Sequence, residues 1–504
     1  MRIKTFLAVS FLIILISAFL RIYRLPELFV VEGDLEHHLL LANTIVKDFH
    51  IIWIGVNAAH LGFYHGPYWT YFTAIWLYLS NGFPLILAYI SALIGIVTTC
   101  VVIFAGRQIF NQRVGLIAGF LYATLPLFVF YDQKYWNPSP TMLLSLLIFI
   151  SLCLVPRWPY LWILFAAAYG VVFSTHLSLV PIILLAIYVY WKLPKKPNVK
   201  ISILTILTFL VFFSPLIIFD YYQKGRNITT PLRFNDITKE ERDHINPIFH
   251  SETLFLTLGR LFYLAPDRPN SDEVLVSCSS ASIINTPKIV DEQSTRTEVK
   301  FISTIVLLGL LVFAFRKSVW ENFNTRLLLI QTGIILFAFL LFPGGSYEYY
   351  MIGAFPLILL IFACLIDSFP KNIRLVSYYV ISLLIILGTN TVLTAKNDYG
   401  YQTKVRLVQK VMAAVDDKPF EIKQDNSICH QYEGWRYLFV YHGKTPARSF
   451  SDQALGWYYP DEISKDRVDY TVILGDTRIH PEFDTQNAKI IQEGGFKAYV
   501  IENK

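Results

Sequence analysis

Charged side chains are scarce in this 504-residue chain: they make up 16% of it, against roughly 25% in an average soluble domain, while apolar side chains reach 54% and the mean hydropathy is +0.47. That scarcity excludes an ordinary cytosolic enzyme. The charges are also unevenly spread, with 21 in residues 220–299 and 31 in residues 394–504, so that only 28 fall on the other 313 positions. A net charge of +6 does not make a basic face, because the Lys and Arg residues lie between apolar runs instead of clustering; nucleic acid is excluded as a partner. Cysteine is equally sparse. Of the five, Cys100, Cys153 and Cys364 fall inside apolar runs as small hydrophobes, while Cys278 and Cys429 are free to pair but have no spacing that implies a disulfide framework. Residues 394–504 contain no Gly-rich phosphate loop, no Cys-x-x-Cys and no nucleophile elbow, and the chain shows no internal repeat of the kind a secondary transporter carries.

What the chain has in abundance is apolar sequence. Runs near 5–24, 83–105, 114–131, 138–155, 159–175, 177–191, 200–219, 301–315, 326–343, 347–366 and 373–393 are each read as crossing the roughly 30 Å of hydrocarbon as helix. Assigning alternate loops to the cytoplasm places fourteen Lys and Arg there, among them Arg107, Arg113, Lys195, Lys196, Arg316 and Lys317, against only Glu321 and Asp367. This positive-inside asymmetry orients the chain. The first loop (25–82), the 220–299 loop and residues 394–504 then face outward, across the plasma (inner) membrane. The first run starts with Arg2 and Lys4 but has no small-residue cleavage pattern, so it is expected to stay as an anchor. Tyr64 to Ser80 is apolar and aromatic and is read as lying at the outer interface.

The expected class is therefore a polytopic α-helical membrane protein of about 11 transmembrane helices in residues 1–393, with a small extracytoplasmic α/β domain in 394–504. In the latter, periodicity predicts helix at 401–415 and 432–442 and strands at 419–423, 469–474 and 497–501. Its expected role is a lid or acceptor-docking module. The 220–299 loop carries charged (238–244) and Ser-rich (277–282) patches whose role is unreadable, and Asn227-Ile228-Thr229 fits the glycosylation sequon.

Ionisable groups kept close to the membrane are costly, and so are informative. They collect in the first outward loop, where Glu32-Gly33-Asp34-Leu35-Glu36-His37-His38 opens a helix with apolar residues at Leu35, Leu39, Ala42, Ile45, Val46 and Phe49, expected to lie along the membrane with Asp34 at its N-cap. His37, His38, His60 and His65 share the loop, but adjacent histidines diverge by about 100° on a helix, and the spacing matches no zinc pattern. No metal or other cofactor is expected; the imidazoles and carboxylates are read as hydrogen-bonding a polar substrate on the bilayer. Tyr131 to Pro138 adds Lys134 and Asn137 with aromatic rings, Ser174-Thr175-His176 adds a third polar turn, Gly344 to Tyr350 adds Tyr347 and Glu348, and Arg21 and Arg24 end the first run. These turns describe a polar, aromatic cavity with cations for a phosphate and carboxylates as base.

EGDLEHH, GFYHGPYWTYF, GRQIFNQRVGLIAG, YDQKYWNPSP and STHLSLVP, in that order, resemble the GT-C glycosyltransferases of the dolichyl-phosphate-mannose protein mannosyltransferase type (family-39-like) over residues 1 to about 200. The resemblance implies a membrane enzyme that moves a sugar, a hexose such as mannose or a pentose, from a polyprenyl-phosphate donor to a protein, lipid or glycan acceptor outside the cytoplasm. It carries the catalytic carboxylate onto Asp34. The usual Asp-Glu pair is absent, since Leu35 follows Asp34 and Glu32 and Glu36 flank it, which leaves open which carboxylate deprotonates the acceptor. The expected roles are Asp34 as base with Glu32 as alternate, Lys134 and Arg24 near the phosphate, and His65, Asn137, His176, Tyr347 and Glu348 in the sugar or acceptor cavity. Metal-dependent oligosaccharide transfer within the superfamily is the alternative; a transporter or a non-catalytic envelope-assembly protein would lack the need for an acidic loop at the interface.

Overall fold

The computed structural model describes residues 2–58, 63–232, 247–264, 297–342, 346–425, 434–477 and 485–503. His60, Gly344, Gly345, Cys278, Cys429 and the 238–244 and 277–282 patches lie outside them. In chain order the principal helices are α1 (Ile3–Ile22), α2 (Gly33–Asp48), α3 (Tyr68–Leu79), α4 (Ile86–Ala105), α5 (Gln112–Thr124), α6 (Pro126–Gln133), α7 (Thr141–Leu154), α8 (Leu161–Val172), α9 (Ile183–Lys192), α10 (Val199–Tyr222), α11 (Pro247–Arg260), α12 (Thr297–Ala314), α13 (Phe323–Leu340), α14 (Phe355–Asp367), α15 (Lys371–Thr394), α16 (Tyr401–Val415) and α17 (Arg436–Tyr441).

All eleven apolar runs are helical, but they are not alike. Among the described residues, seven helices are long and apolar enough to cross a membrane, among them Ile86–Phe110 and Glu348–Asp367, which extend α4 and α14; the bent pair α5–α6 makes an eighth, and α7, α8 and Leu177–Lys192 are shorter. The 14 residues of α7 rise only about 21 Å. Nearly all of them are buried, so α7 is walled by other helices instead of by lipid. The chain is an integral, multi-pass membrane protein.

The run at 114–131, read as one straight crossing, is bent by 63° between α5 and α6. Pro126 causes the break: it has no N–H to donate to the carbonyl of Tyr122, one turn earlier. The fully buried Arg21 of α1 supplies the missing donors, bonding Tyr122 O at 3.0 Å and Ala123 O at 3.1 Å while its Nε donates to Asp132 Oδ2 at 2.8 Å. Arg21 is thus committed to holding a broken helix. At the opposite end of this hairpin a Cβ on Gly106 would stand 2.5 Å from the Cα of Gly115, so the two backbones touch where GRQIFNQRVG turns. Asn111, Asn198 and Asn322 cap α5, α10 and α13 by accepting backbone N–H bonds, which fixes where these helices start.

Two apolar cores result. One fills the bundle from α4 to α14. The other joins Leu35, Leu39 and Ala42 of α2 to Trp69 and Leu77 of α3 and to Leu407, Val411, Leu438 and Phe496 near the C-terminus. The first part of the apolar stripe of α2, Leu35, Leu39 and Ala42, expected along the membrane, is therefore covered by protein, while Phe49 beyond its end stays exposed. Besides a two-residue ladder of β1 (Asn57–Ala58) with β2 (Phe63–Tyr64), a five-stranded sheet of order β4-β3-β5-β7-β6 is built from β3 (Phe420–Gln424), β4 (Arg448–Ser449), β5 (Tyr470–Asp476), β6 (Ala488–Glu493) and β7 (Phe496–Glu502). β3 runs parallel to β4 and β5, and β7 antiparallel to β5 and β6. With α16 and α17 this is a small α/β unit; both helices and strands β3, β5 and β7 fall on the segments that periodicity marked, while β4 and β6 do not.

Candidate active site

The acidic loop separates its three carboxylates. Glu32, extended at φ −118° and ψ 178°, occupies the N-cap position, so Asp34 lies in the first turn of α2 and is not the cap. Asp34 and Glu36 are about 200° apart around α2, and Glu32 stands before the helix on extended backbone, so the three carboxylates lie in different surroundings. Glu32 is buried and ion-paired with Lys134 at 2.5 Å, and the Lys134 ammonium also sits 4.0 Å from the centre of the Trp136 ring. Glu36 is wholly buried and accepts from Gly434 N at 2.9 Å, Tyr437 N at 3.1 Å and Ser451 Oγ at 3.3 Å, which fastens α2 to the C-terminal unit. Asp34 is exposed and within electrostatic reach of Tyr349.

Around that reach the polar turns converge. Gly66 brings the loop of His65 against Ser174, where a Cβ would stand 2.4 Å from Ser174 Oγ, so His65 and His176 are held close. Asn137 donates to Thr175 O at 2.8 Å and its side chain lies near His38, which brings the 131–138 turn to both. His176 shares a 2.8 Å bond between its Nδ1 and Ser178 Oγ, and its ring lies 5.6 Å from those of both Tyr349 and Tyr350. Trp136 packs edge-on to Tyr349 at 4.7 Å, and Tyr347 stands 5.6 Å from Tyr349.

The imidazoles here are neutral at physiological pH. Burial pushes His38 down to about 3, with the neighbouring His37 and His65 adding to the effect and the nearby Asn137 side chain opposing it. Burial lowers His65 to about 4, and burial followed by the proximity of His65 lowers His176 to about 3. The cluster therefore offers hydrogen-bond donors and acceptors without net charge. Among the described residues no group of three or more His, Cys, Asp or Glu is arranged to hold a metal ion.

The structure thus brings together Asp34, His65, Asn137, His176 and Tyr347, with the Glu32–Lys134 pair joined through Trp136. Two expected members stand apart. Both oxygens of Glu348 are engaged, Oε2 by Arg260 at 2.7 Å and Oε1 by the Tyr131 hydroxyl at 3.1 Å, so this carboxylate anchors the Tyr347–Tyr350 turn. Arg24 bonds Glu27 through Nε at 2.7 Å and the carbonyl of Ala395 at 2.9 Å. Asn227, the sequon residue, is buried and its Oδ1 accepts from Tyr64 N at 3.0 Å. Sequence reasoning counted His38 among the loop imidazoles and the rings of Trp136, Tyr349 and Tyr350 among the aromatic turns without giving them individual roles, and it missed Arg260. An arginine inside the apolar stretch LFLTLGRLFYL was the available signal for Arg260, since an ionisable group there demands a partner.

No sequence-family model matches the chain, and no curated protein sequence does. Solved structures do match. ArnT from Cupriavidus metallidurans bound to undecaprenyl phosphate superposes with a TM-score of 0.59 at 10% identity, over 99% of this chain and 97% of that one. The oligosaccharyltransferase of Archaeoglobus fulgidus superposes in its apo form with a TM-score of 0.55 at 14% identity, over 94% of this chain and 70% of that one. Tethered to an acceptor peptide, it does so with a TM-score of 0.52 at 15% identity, over 94% and 69%. The chain has the GT-C fold. On the GT-C fold the likeness extends through the C-terminal unit, because the ArnT match leaves out almost none of this chain. At these identities the likeness is one of architecture, and the chemistry must be argued from the residues of this chain.

Proposed function

We propose that this protein is a membrane glycosyltransferase that moves a single sugar, a hexose or pentose, from a polyprenyl-phosphate donor to an extracytoplasmic acceptor by inverting displacement. The observation that carries the reading is an exposed carboxylate, Asp34, in the first turn of α2 beside a neutral cluster of imidazole, amide and tyrosine side chains. A polyprenyl phosphate is already a leaving group, so the reaction needs a base for the acceptor hydroxyl and a cation for the phosphate. In this reading Asp34 takes the hydroxyl proton as the acceptor oxygen attacks the anomeric carbon, and the bond from that carbon to the phosphate oxygen breaks on the opposite face. Lys134 serves the departing phosphate. Glu32, as its counter-ion, is the alternate carboxylate but is buried, which favours Asp34. His65, Asn137, His176 and Tyr347 orient sugar hydroxyls, while Glu348 positions the tyrosine turn. Arg24, held by Glu27 and Ala395, takes no part.

The charge asymmetry of the loops supports placing the site and residues 394–504 outside the plasma membrane. The undecaprenyl phosphate bound to ArnT supports an isoprenoid phosphate donor. The test is a panel of radiolabelled polyprenyl-phosphate hexoses and pentoses offered to membranes containing wild type or Asp34→Asn. Wild type transfers one label, and Asp34→Asn inserts normally but loses about 10²–10⁴-fold in turnover, the usual contribution of a general base. Undiminished turnover removes Asp34 from the mechanism.

A further inference from the structure

A cavity of about 190 Å³ lies between α2 and the C-terminal unit, away from the histidine cluster. One wall is a single stripe of α2, Leu40, Asn43, Thr44, Lys47 and Asp48, at the spacings that share a helix face. The other wall is Tyr437 and Val440 of α17 with Tyr458 to Glu462. Asn43 and Asp48 on one side and Asp461 on the other make no side-chain hydrogen bond among the described residues, and Lys47 pairs with Glu462 at 3.2 Å across the gap. The lining therefore presents tyrosine rings together with unused amide and carboxylate groups.

This composition selects a ligand class. A phosphate would meet three carboxylates, Asp48, Asp461 and Glu462, for one ammonium that is already paired. An acyl chain would leave the polar groups without partners. A neutral ring carrying hydroxyls satisfies both constraints, with its apolar face on tyrosine and its hydroxyls on Asn43, Asp48 and Asp461. The volume is below the roughly 300–1,000 Å³ of pockets for drug-sized ligands, so it takes about one ring.

We infer that this cavity is a saccharide subsite, and that the acceptor is a glycan chain one of whose rings is gripped here while another meets Asp34. Asn43, the first polar residue of the stripe, lies nine residues beyond Asp34 along α2, about 14 Å at 1.5 Å per residue and half a turn around the helix. An acceptor spanning both points is longer than one sugar. His37, which pairs its Nε2 with the Tyr458 hydroxyl at 2.5 Å, lies on the helix between the two. The significance of the subsite rests on the transferase reading, but its occupancy does not require turnover.

The test is a saturation-transfer titration of the purified full-length chain, in a detergent without a sugar headgroup, with neutral linear manno-oligosaccharides from monomer to hexamer. Binding is expected to strengthen with length and to be weakened about fivefold by Asn43→Ala, the equivalent of about one hydrogen bond. A phosphorylated oligosaccharide of equal length should bind more weakly. Absence of binding by every member, indifference to Asn43→Ala, or equal binding of the phosphorylated chain overturns the subsite. Turnover retained by Asp34→Asn would instead sink the catalytic reading while leaving this result standing.

Discussion

Replacing Glu36 by Ala is expected to loosen the C-terminal unit from α2 without unfolding either. The carboxylate accepts two backbone N–H bonds, from Gly434 and Tyr437, and one from Ser451, in a place with no exposure. Alanine leaves two buried N–H groups unsatisfied, each costing about 1–3 kcal/mol, so the contact weakens by about 2–6 kcal/mol. Since 1.4 kcal/mol is a factor of ten, and amide exchange follows the free energy of local opening, exchange at Gly434 and Tyr437 should rise by roughly 10²–10⁴. Exchange in the α16 core at Leu407 and Val411 should stay within a few-fold, because their burial comes from apolar contacts and not from bonds to Glu36. Glu36→Gln keeps one carbonyl acceptor but turns an NH2 toward a donor, and should fall between. Hydrogen exchange read by mass spectrometry on the detergent-solubilised chain measures all three. Unchanged protection at Gly434 and Tyr437 in Glu36→Ala refutes the claim that this carboxylate fastens the two parts.

The histidine cluster makes stability depend on pH. The folded values of about 3 for His38 and His176 and about 4 for His65 lie below the unfolded 6.5, so the unfolded chain binds protons first; stability is full above pH 6.5 and falls below it by about 1.4 kcal/mol per pH unit for each imidazole. Thermal unfolding from pH 8 to pH 5 should reveal a drop that His38→Gln reduces, and a flat wild-type profile would count against the buried, neutral state. Arg260→Met should destabilise by about 3–5 kcal/mol, because it strands the Glu348 carboxylate with only the Tyr131 hydroxyl, and adding Glu348→Gln should restore most of the loss; a double variant no better than the single one would show that the pair is not what holds the turn.

Apolar length and loop charge made the helical architecture legible, because each crossing must satisfy its own backbone and each loop reports its side of the bilayer. Three features escaped for one shared reason: they are partnerships between segments far apart in the chain. The bend at Pro126 was readable as a local break, but not that Arg21, 101 residues from Tyr122, would supply the donor the proline removed. The apolar stripe of α2 has the periodicity of an interfacial helix, and periodicity cannot distinguish lipid from a protein surface; the C-terminal unit covers its first part. The carboxylates at 32, 34 and 36 looked interchangeable in sequence. The extended backbone at the N-cap sends Glu32 to Lys134, while Glu36, about 200° around α2 from Asp34, meets the C-terminal unit. What singles out Asp34 is therefore its exposure beside the imidazole and tyrosine cluster, where Glu32 and Glu36 are buried in their own contacts.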